Sequence, residues 1–300
     1  MAMRIVMQIL RLLWRSCFDA AQNARAILNP KLMTRERQPQ QQAPLPPDLY
    51  DEAYFLTACE GYDEFLKTEG EHLSRRLRQA FAFAEVQPGM WVLDVGCGRG
   101  EIVRHVARLG AHAFGVDYSR AAVQLTRRIM QHEQGSYGIA RADAKALPFA
   151  DARFDRVLLF DVVEHLHPWE LERCLREAHR VLRPGGKIVI HTAPNRWYDA
   201  YAYPVVRLVR TLMGQGARYP KNPRALNVAI NTEVHVNEQD MLRLRRYLKR
   251  AGFREVRVWL DTPPQHRDEG VVLNALRHIA FNWLPFAWFF QREVFAVGTR

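Results

Sequence analysis

Residues 91–101 read WVLDVGCGRGE, an apolar run that closes on Asp94, followed by alternating glycines at Gly96, Gly98 and Gly100. A short buried strand that stops at a glycine loop ahead of a helix is how a parallel sheet opens space for a nucleotide-like ligand. Glycine is needed because a Cβ would block close backbone approach and because the loop requires dihedrals that other residues avoid. The spacing narrows the ligand. A dinucleotide fingerprint places its third glycine one residue later and seats a pyrophosphate on the helix N-terminus. Here Gly100 comes early and Glu101 follows it, so like charge at the helix start opposes a phosphate. No G-K-[ST] ending is present, which excludes a P-loop. Asp94 suits a ligand carrying a cationic amino group, and Cys97 reads as a small filler.

Working outward, helix and strand signals alternate. Residues 102–109 read as a helix and 113–116 as a strand ending at Asp117; a second helix spans 121–132, and a strand over 138–141 ends near Asp143. A buried strand over 156–160, a helix over 169–181 and a strand over 187–192 follow, the last preceded by the turn Pro184-Gly185-Gly186. Upstream, 65–86 reads as one helix closed by Pro88-Gly89; downstream, a helix over 238–251 and strands over 255–260 and 293–298 complete the pattern. Strands alternating with helices predict an α/β doubly wound parallel sheet with its ligand at the carboxyl edge.

The 300 residues, 48% hydrophobic, are enough for one α/β core with appendages. Cys17, Cys59, Cys97 and Cys174 are scattered without a C-x-x-C pair, which fits a reducing, cytoplasmic setting rather than a disulfide framework or a zinc site. The net charge of +11 comes from arginines spread along the chain. The charge is compatible with an anionic partner, whether nucleic acid, phosphorylated lipid or a membrane surface, or with a solvated basic surface, and no basic run interleaved with stacking aromatics singles out nucleic acid.

Residues 1–37 carry an amphipathic helical period, with Arg4, Gln8, Arg11 and Arg15 opposite Ile5, Ile9, Leu13 and Trp14. Its apolar run is too short to span a bilayer, leaving a helix packed on protein or lying in a membrane interface. The Pro/Gln-rich stretch 38–49 reads as an extended linker, and the folded domain is expected over 50–300. Two segments break the strand–helix rhythm, at about 196–236 and 261–292. Both set arginines beside large apolar and aromatic residues, the second including Trp283, Trp288 and Pro285.

The strand ends sharpen the ligand. Asp117 falls about 20 residues beyond the glycines, where a carboxylate accepts ribose hydroxyls. Asp143 closes the third strand, placed to take an adenine amino proton while the Ala144 amide meets a ring nitrogen, and Tyr118 is placed to stack on the adenine face. The D-x-G-x-G-x-G loop, the run 142–168 (ADAKALPFADARFDRVLLFDVVEHLHP) and REAHRVLRPGGKIVIHTAPN at 176–195 resemble the class I S-adenosylmethionine-dependent methyltransferases, in the branch of quinone-biosynthesis and small-molecule enzymes. The resemblance is strong over 90–195 and weak toward the C-terminus. It implies a seven-stranded sheet in the order 3-2-1-4-5-7-6 with the last strand antiparallel. It also implies S-adenosylmethionine as cofactor, held by Asp94, Gly96, Cys97, Gly98, Gly100, Asp117, Tyr118, Asp143, Ala144, Phe160 and Asp161.

A sulfonium methyl is already activated, so transfer needs an in-line nucleophile and in many cases a base. His165 in EHLHP is the best-placed base, with a structural capping role as its alternative; His191 and His235 rank behind it. His165 and His167 have no matching third ligand in the sequence, so no metal is expected. The expected product is a methylated small or lipid-linked acceptor, most readily at oxygen, handled in the cytoplasm or on the inner face of a membrane. A nucleic-acid methyltransferase would bring an N/D-P-P-[YF]-type loop where this chain has FDVVEH, and a non-catalytic scaffold retaining the cofactor site is the remaining alternative.

Overall fold

The structure, a computed structural model, describes residues 42–59, 61–226, 228–262 and 270–300. The amphipathic stretch 1–37, and the start of the 38–49 linker, lie outside the described residues. The rest of that linker carries no regular structure apart from one 3-10 turn, Pro47–Leu49.

Three short helices come first: α1 (Glu52–Thr57), α2 (Tyr62–Thr68) and α3 (Arg75–Ala82). The single helix expected over 65–86 is therefore broken in two. Glu69 and Gly70 both adopt positive φ, which ends α2, and the Ser74 hydroxyl then accepts the Leu77 N–H to start α3 afresh. A run of helix-compatible residues hid this break because the polar residues between them carry no period of their own.

Strand β1 (Trp91–Val95) leads through the glycine loop into α4 (Glu101–Arg108). Strand β2 (His112–Asp117), helix α5 (Arg120–Met130), β3 (Tyr137–Arg141), β4 (Phe154–Phe160), α6 (Pro168–Val181) and β5 (Leu182–Thr192) continue the alternation. The first insertion folds as a π-helical turn, Tyr198–Ala202, running into α7 (Tyr203–Leu212), with the short α8 (Asn231–Val234) near its end. Helix α9 (Met241–Arg250) begins three residues later than expected because the Asp240 carboxylate caps the Leu242 and Arg243 amides. Strand β6 (Arg254–Asp261), helices α10 (Val271–Asn282) and α11 (Phe286–Phe290), and β7 (Glu293–Thr299) complete the chain.

The sheet order is β3-β2-β1-β4-β5-β7-β6, with β7 antiparallel to both neighbours, as the resemblance implied. Alternate residues of each strand face opposite layers. Leu93, Val157, Ile188 and Ala296 pack toward Leu171 and Leu175 of α6 and Leu244 and Leu248 of α9. Val92, Leu158, Val189 and Phe295 pack toward Phe81 of α3 and Ile102 and Val106 of α4. Burial on both faces is why these strands read as near-continuous apolar runs. The two insertions share a core of their own, built on Tyr198, Tyr203 and Phe290. Among the described residues no helix is long and apolar enough to cross a membrane.

Candidate functional site

The loop after β1 is tied to β2, with the N–H groups of Gly96 and Cys97 both donating to the Val116 carbonyl, at 2.8 and 3.0 Å. All three glycines have positive φ, but they answer different constraints. A Cβ at Gly96 would stand 2.4 Å from Val162 Cγ2, and one at Gly100 would stand 2.9 Å from the Thr126 main chain. Those two positions serve packing. A Cβ at Gly98 would meet only the Phe55 ring at 3.5 Å, an ordinary contact, so Gly98 keeps open the space above the loop. Cys97 is buried against Thr126, and burial raises its thiol pKa; it fills space as expected.

The acids gather around this loop. Asp94, 4% exposed, accepts no hydrogen bond from any described residue, and burial, with Asp117 and Glu101 nearby, pushes its pKa up to about 8. An ammonium group on a ligand supplies the partner that the fold leaves out, which is the fit expected of the methionine end of S-adenosylmethionine. Asp117 is more committed than the sequence suggested: Gly98 N–H donates to Oδ2 at 3.0 Å and Ser119 N–H to Oδ1 at 2.8 Å. Burial raises its pKa to about 6 against those bonds. Each oxygen retains a lone pair for a ribose hydroxyl. Tyr118 is half exposed at the cavity rim, with the Lys145 ammonium 5.7 Å from its ring centre. Asp143 faces Lys145, 3.0 Å from Nζ, and Ala144 stands next to it in the same wall.

Phe160 and Asp161 end β4. Asp161 has φ +56° and is held on two sides, by Arg76 Nη2 and by His191 Nδ1, both at 2.8 Å. Burial works to raise Asp161, but Arg76 and His191 outweigh it and hold the carboxyl well below the usual range. Glu164 takes the Thr192 hydroxyl at 2.8 Å, and burial followed by the Asp161 charge lifts it to about 8. His165 Nδ1 lies 3.1 Å from the Val234 carbonyl and 3.2 Å from Tyr50 Oη; burial lowers its pKa to about 4. The imidazole is therefore neutral at physiological pH. With Nδ1–H donated to Val234, Nε2 is its acceptor nitrogen.

His191 is fully buried as a support for Asp161, and His167 sits at the start of α6, its N–H donated to Glu170 Oε2. His235 joins His165 instead, their rings 5.0 Å apart, and is kept neutral by burial, with a pKa near 3. Glu164, His165 and His235 each offer a ligand atom within 4.8 Å of the others, a spacing that a cation can bridge. The sequence held no sign of this, because His235 is 70 positions from His165 and approaches only through the first insertion.

These groups line one cavity of about 790 Å³, bounded by the glycine loop, the carboxyl ends of the parallel strands, the segment before β1 and both insertions. That is large enough for a nucleoside donor and a second small molecule together. Several lining residues escaped the sequence reading: Arg76 and Tyr50 upstream of the sheet, Glu164 beyond β4, and Arg292 at the start of β7. Arg76 is a mostly buried cation in the cavity wall, committed to the Asp161 carboxylate. The repulsion assigned to Glu101 is also muted, since Arg99 Nε donates to it at 2.8 Å while the same guanidinium reaches the Phe55 carbonyl.

Residues 93–190 match the methyltransferase domain family. The chain is 34% identical over 128 residues to the methyltransferase GfsG of Streptomyces halstedii, covering 42% of this chain and 44% of that protein. It is 30% identical over 118 residues to a ubiquinone biosynthesis O-methyltransferase of Coxiella burnetii, with 39% and 49% covered. A demethylmenaquinone methyltransferase of Tropheryma whipplei is 33% identical over 150 residues, with 47% and 61% covered. The chain thus spans about half the length of the curated relatives it matches. Its fold is shared with a chain of the complex between the Haloferax volcanii Trm112 methyltransferase activator and the putative methyltransferase, at TM-score 0.54 and 17% identity over 83% of this chain and 96% of that one. Sheet order, glycine loop and the matched domain agree: residues 93–190 carry a methyltransferase domain, on the sheet topology of the class I S-adenosylmethionine-dependent methyltransferases.

Proposed function

We propose that this protein transfers a methyl group from S-adenosylmethionine to an oxygen of a small, apolar acceptor drawn from a membrane surface. The observation that carries the transfer is the continuity of one cavity from Asp94 and Asp117 at the glycine loop to the β4, β5 and β7 ends, where a second molecule fits. The bound donor supplies an activated sulfonium methyl. The chain's part is to hold the donor's charged and hydroxyl groups, exclude water with Tyr50, Phe55 and the first insertion, and fix the acceptor in line. His165 is the candidate base: neutral, with Nε2 able to accept a proton. Its low pKa keeps that nitrogen unprotonated down to about pH 4, so it imposes no acid limb on the rate in the neutral range.

The membrane part rests on the outer face of the insertions. Leu208, Leu212 and Met213 beside α7, and Val271, Trp283, Leu284 and Trp288 around α10 and α11, are all exposed. Exposed large apolar side chains on a chain with net charge +11 suit an anionic bilayer surface. The names of the ubiquinone and menaquinone relatives point to apolar acceptors of the same kind.

Incubation with methyl-labelled S-adenosylmethionine and membrane lipid, saccharide and RNA extracts tests both parts. Label in the lipid fraction as an ether-linked methyl supports the reading; label confined to RNA or saccharide overturns it.

A further inference from the structure

Most cations around the cavity are neutralised where they stand. Arg75 meets Glu293 at 2.8 Å, Arg76 meets Asp161, Arg99 meets Glu101, Lys145 meets Glu170 at 2.8 Å, and Arg224 is paired with Glu238. Arg292 differs. Its guanidinium has no ion pair and donates no hydrogen bond among the described residues, and its Nε is buried without a partner.

The position is built rather than loose. The Arg292 N–H donates to Thr262 Oγ1 at 2.5 Å and its carbonyl accepts the Asn195 N–H at 2.7 Å, which pins the backbone at the entry to β7. The guanidinium lies over the Tyr198 ring, 5.1 Å from its centre, which fixes its plane. Asp199 feels this charge but lies beyond ion-pair distance, and burial, then Glu238, raises its carboxyl to about 7, so it is not a full counter-charge. Arg292 stands at the β5–β7 end of the cavity, where Thr192 registers with Val294. Asp117 and Asp143, which suit the donor's nucleoside, stand at the β2 and β3 ends.

We propose that Arg292 is the anchor for a carboxylate on the methyl acceptor, an inference that rests on the methyl-transfer reading above. A held, planar guanidinium matches a planar carboxylate in two parallel hydrogen bonds. A monoanion fits better than a phosphate dianion because the next residue, Glu293, is itself acidic and the cavity wall already carries the Asp161 carboxylate. Acceptor selection then has two parts, an apolar body against the insertions and an acid group at Arg292.

The test uses the full chain loaded with S-adenosylhomocysteine and a matched pair of probes, 4-butoxybenzoate and 4-butoxybenzamide, which differ only in the charge of the head group. Calorimetric titration is expected to show the acid binding at least tenfold more tightly than the amide. R292Q is expected to abolish that preference and R292K to keep part of it, with affinity for S-adenosylhomocysteine unchanged in both. Equal binding of acid and amide, no binding of the acid, or a preference that survives R292Q overturns the carboxylate anchor. Failure of the wild-type chain to bind S-adenosylhomocysteine overturns the methyl-transfer reading instead, so the two failures are separable.

Discussion

Asp117 braces the loop through the Gly98 and Ser119 amides, and on the proposed reading its remaining lone pairs take the donor ribose. Asp117→Ala removes a charged partner from buried hydroxyls, a loss of about 2 kcal/mol or about thirtyfold in donor affinity. Calorimetry of the variant reads this directly, and unchanged affinity removes Asp117 from the site. Asp94 makes a different prediction. Its pKa near 8 means that donor binding must displace a proton, so affinity rises as pH goes from 6 to 8 and above. Asp94→Asn is expected to flatten that dependence at a lower plateau; a slope that survives the substitution assigns it to another group. The placement of both acids at the cavity was legible in the sequence because they close strands at the carboxyl edge of such a sheet. Arg76 and Arg292 were not, since an arginine's reach makes its position in the chain a poor guide to where its charge rests.

In the glycine loop two glycines serve packing, and the third, Gly98, is the one the proposed reading assigns to the ligand. Gly100→Ala forces a Cβ against the Thr126 main chain and, with φ at +89°, is expected to lower thermal stability. Gly98→Ala meets only an aromatic ring at van der Waals distance, so it is expected to cost about 1 kcal/mol of backbone strain. The same substitution narrows the donor's space and lowers its affinity. Thermal melts with and without S-adenosylmethionine separate the two; an equal loss of stability and of ligand shift in both variants contradicts the division. Element reading from sequence succeeded where burial imposed a run, as in Val157–Phe160 of β4 and Val189 of β5. It failed where a backbone turn intervened without a period, as at Glu69-Gly70. The Glu164–His165–His235 grouping was illegible for a related reason: only the fold of the first insertion brings α8 against the end of β4.

Across the whole molecule, raised carboxyl pKa values set a direction for stability. Asp94 near 8, Asp199 near 7 and Asp117 near 6 hold their protons more tightly in the native state than when unfolded. Their contribution is fully present below the ordinary carboxylate range and is lost as pH climbs through 6 to 8. The unliganded protein is thus expected to melt at lower temperature at pH 8.5 than at pH 6, and S-adenosylmethionine to restore more stability at the higher pH. A melting temperature that rises over that interval contradicts the assignment. The apolar outer face of the insertions makes a second prediction at this scale: the full chain floats with anionic vesicles, and Trp283→Ser with Leu284→Ser weakens flotation without altering donor affinity.

The central claim is that the Asp94–Gly100 loop and Asp117 form a site for one S-adenosylmethionine. Titration calorimetry of the full chain with S-adenosylmethionine at pH 8 measures it most directly. One molecule bound per chain, with affinity about thirtyfold weaker in Asp117→Ala, is the predicted result; absence of binding by the wild-type chain, or equal binding by the variant, contradicts it.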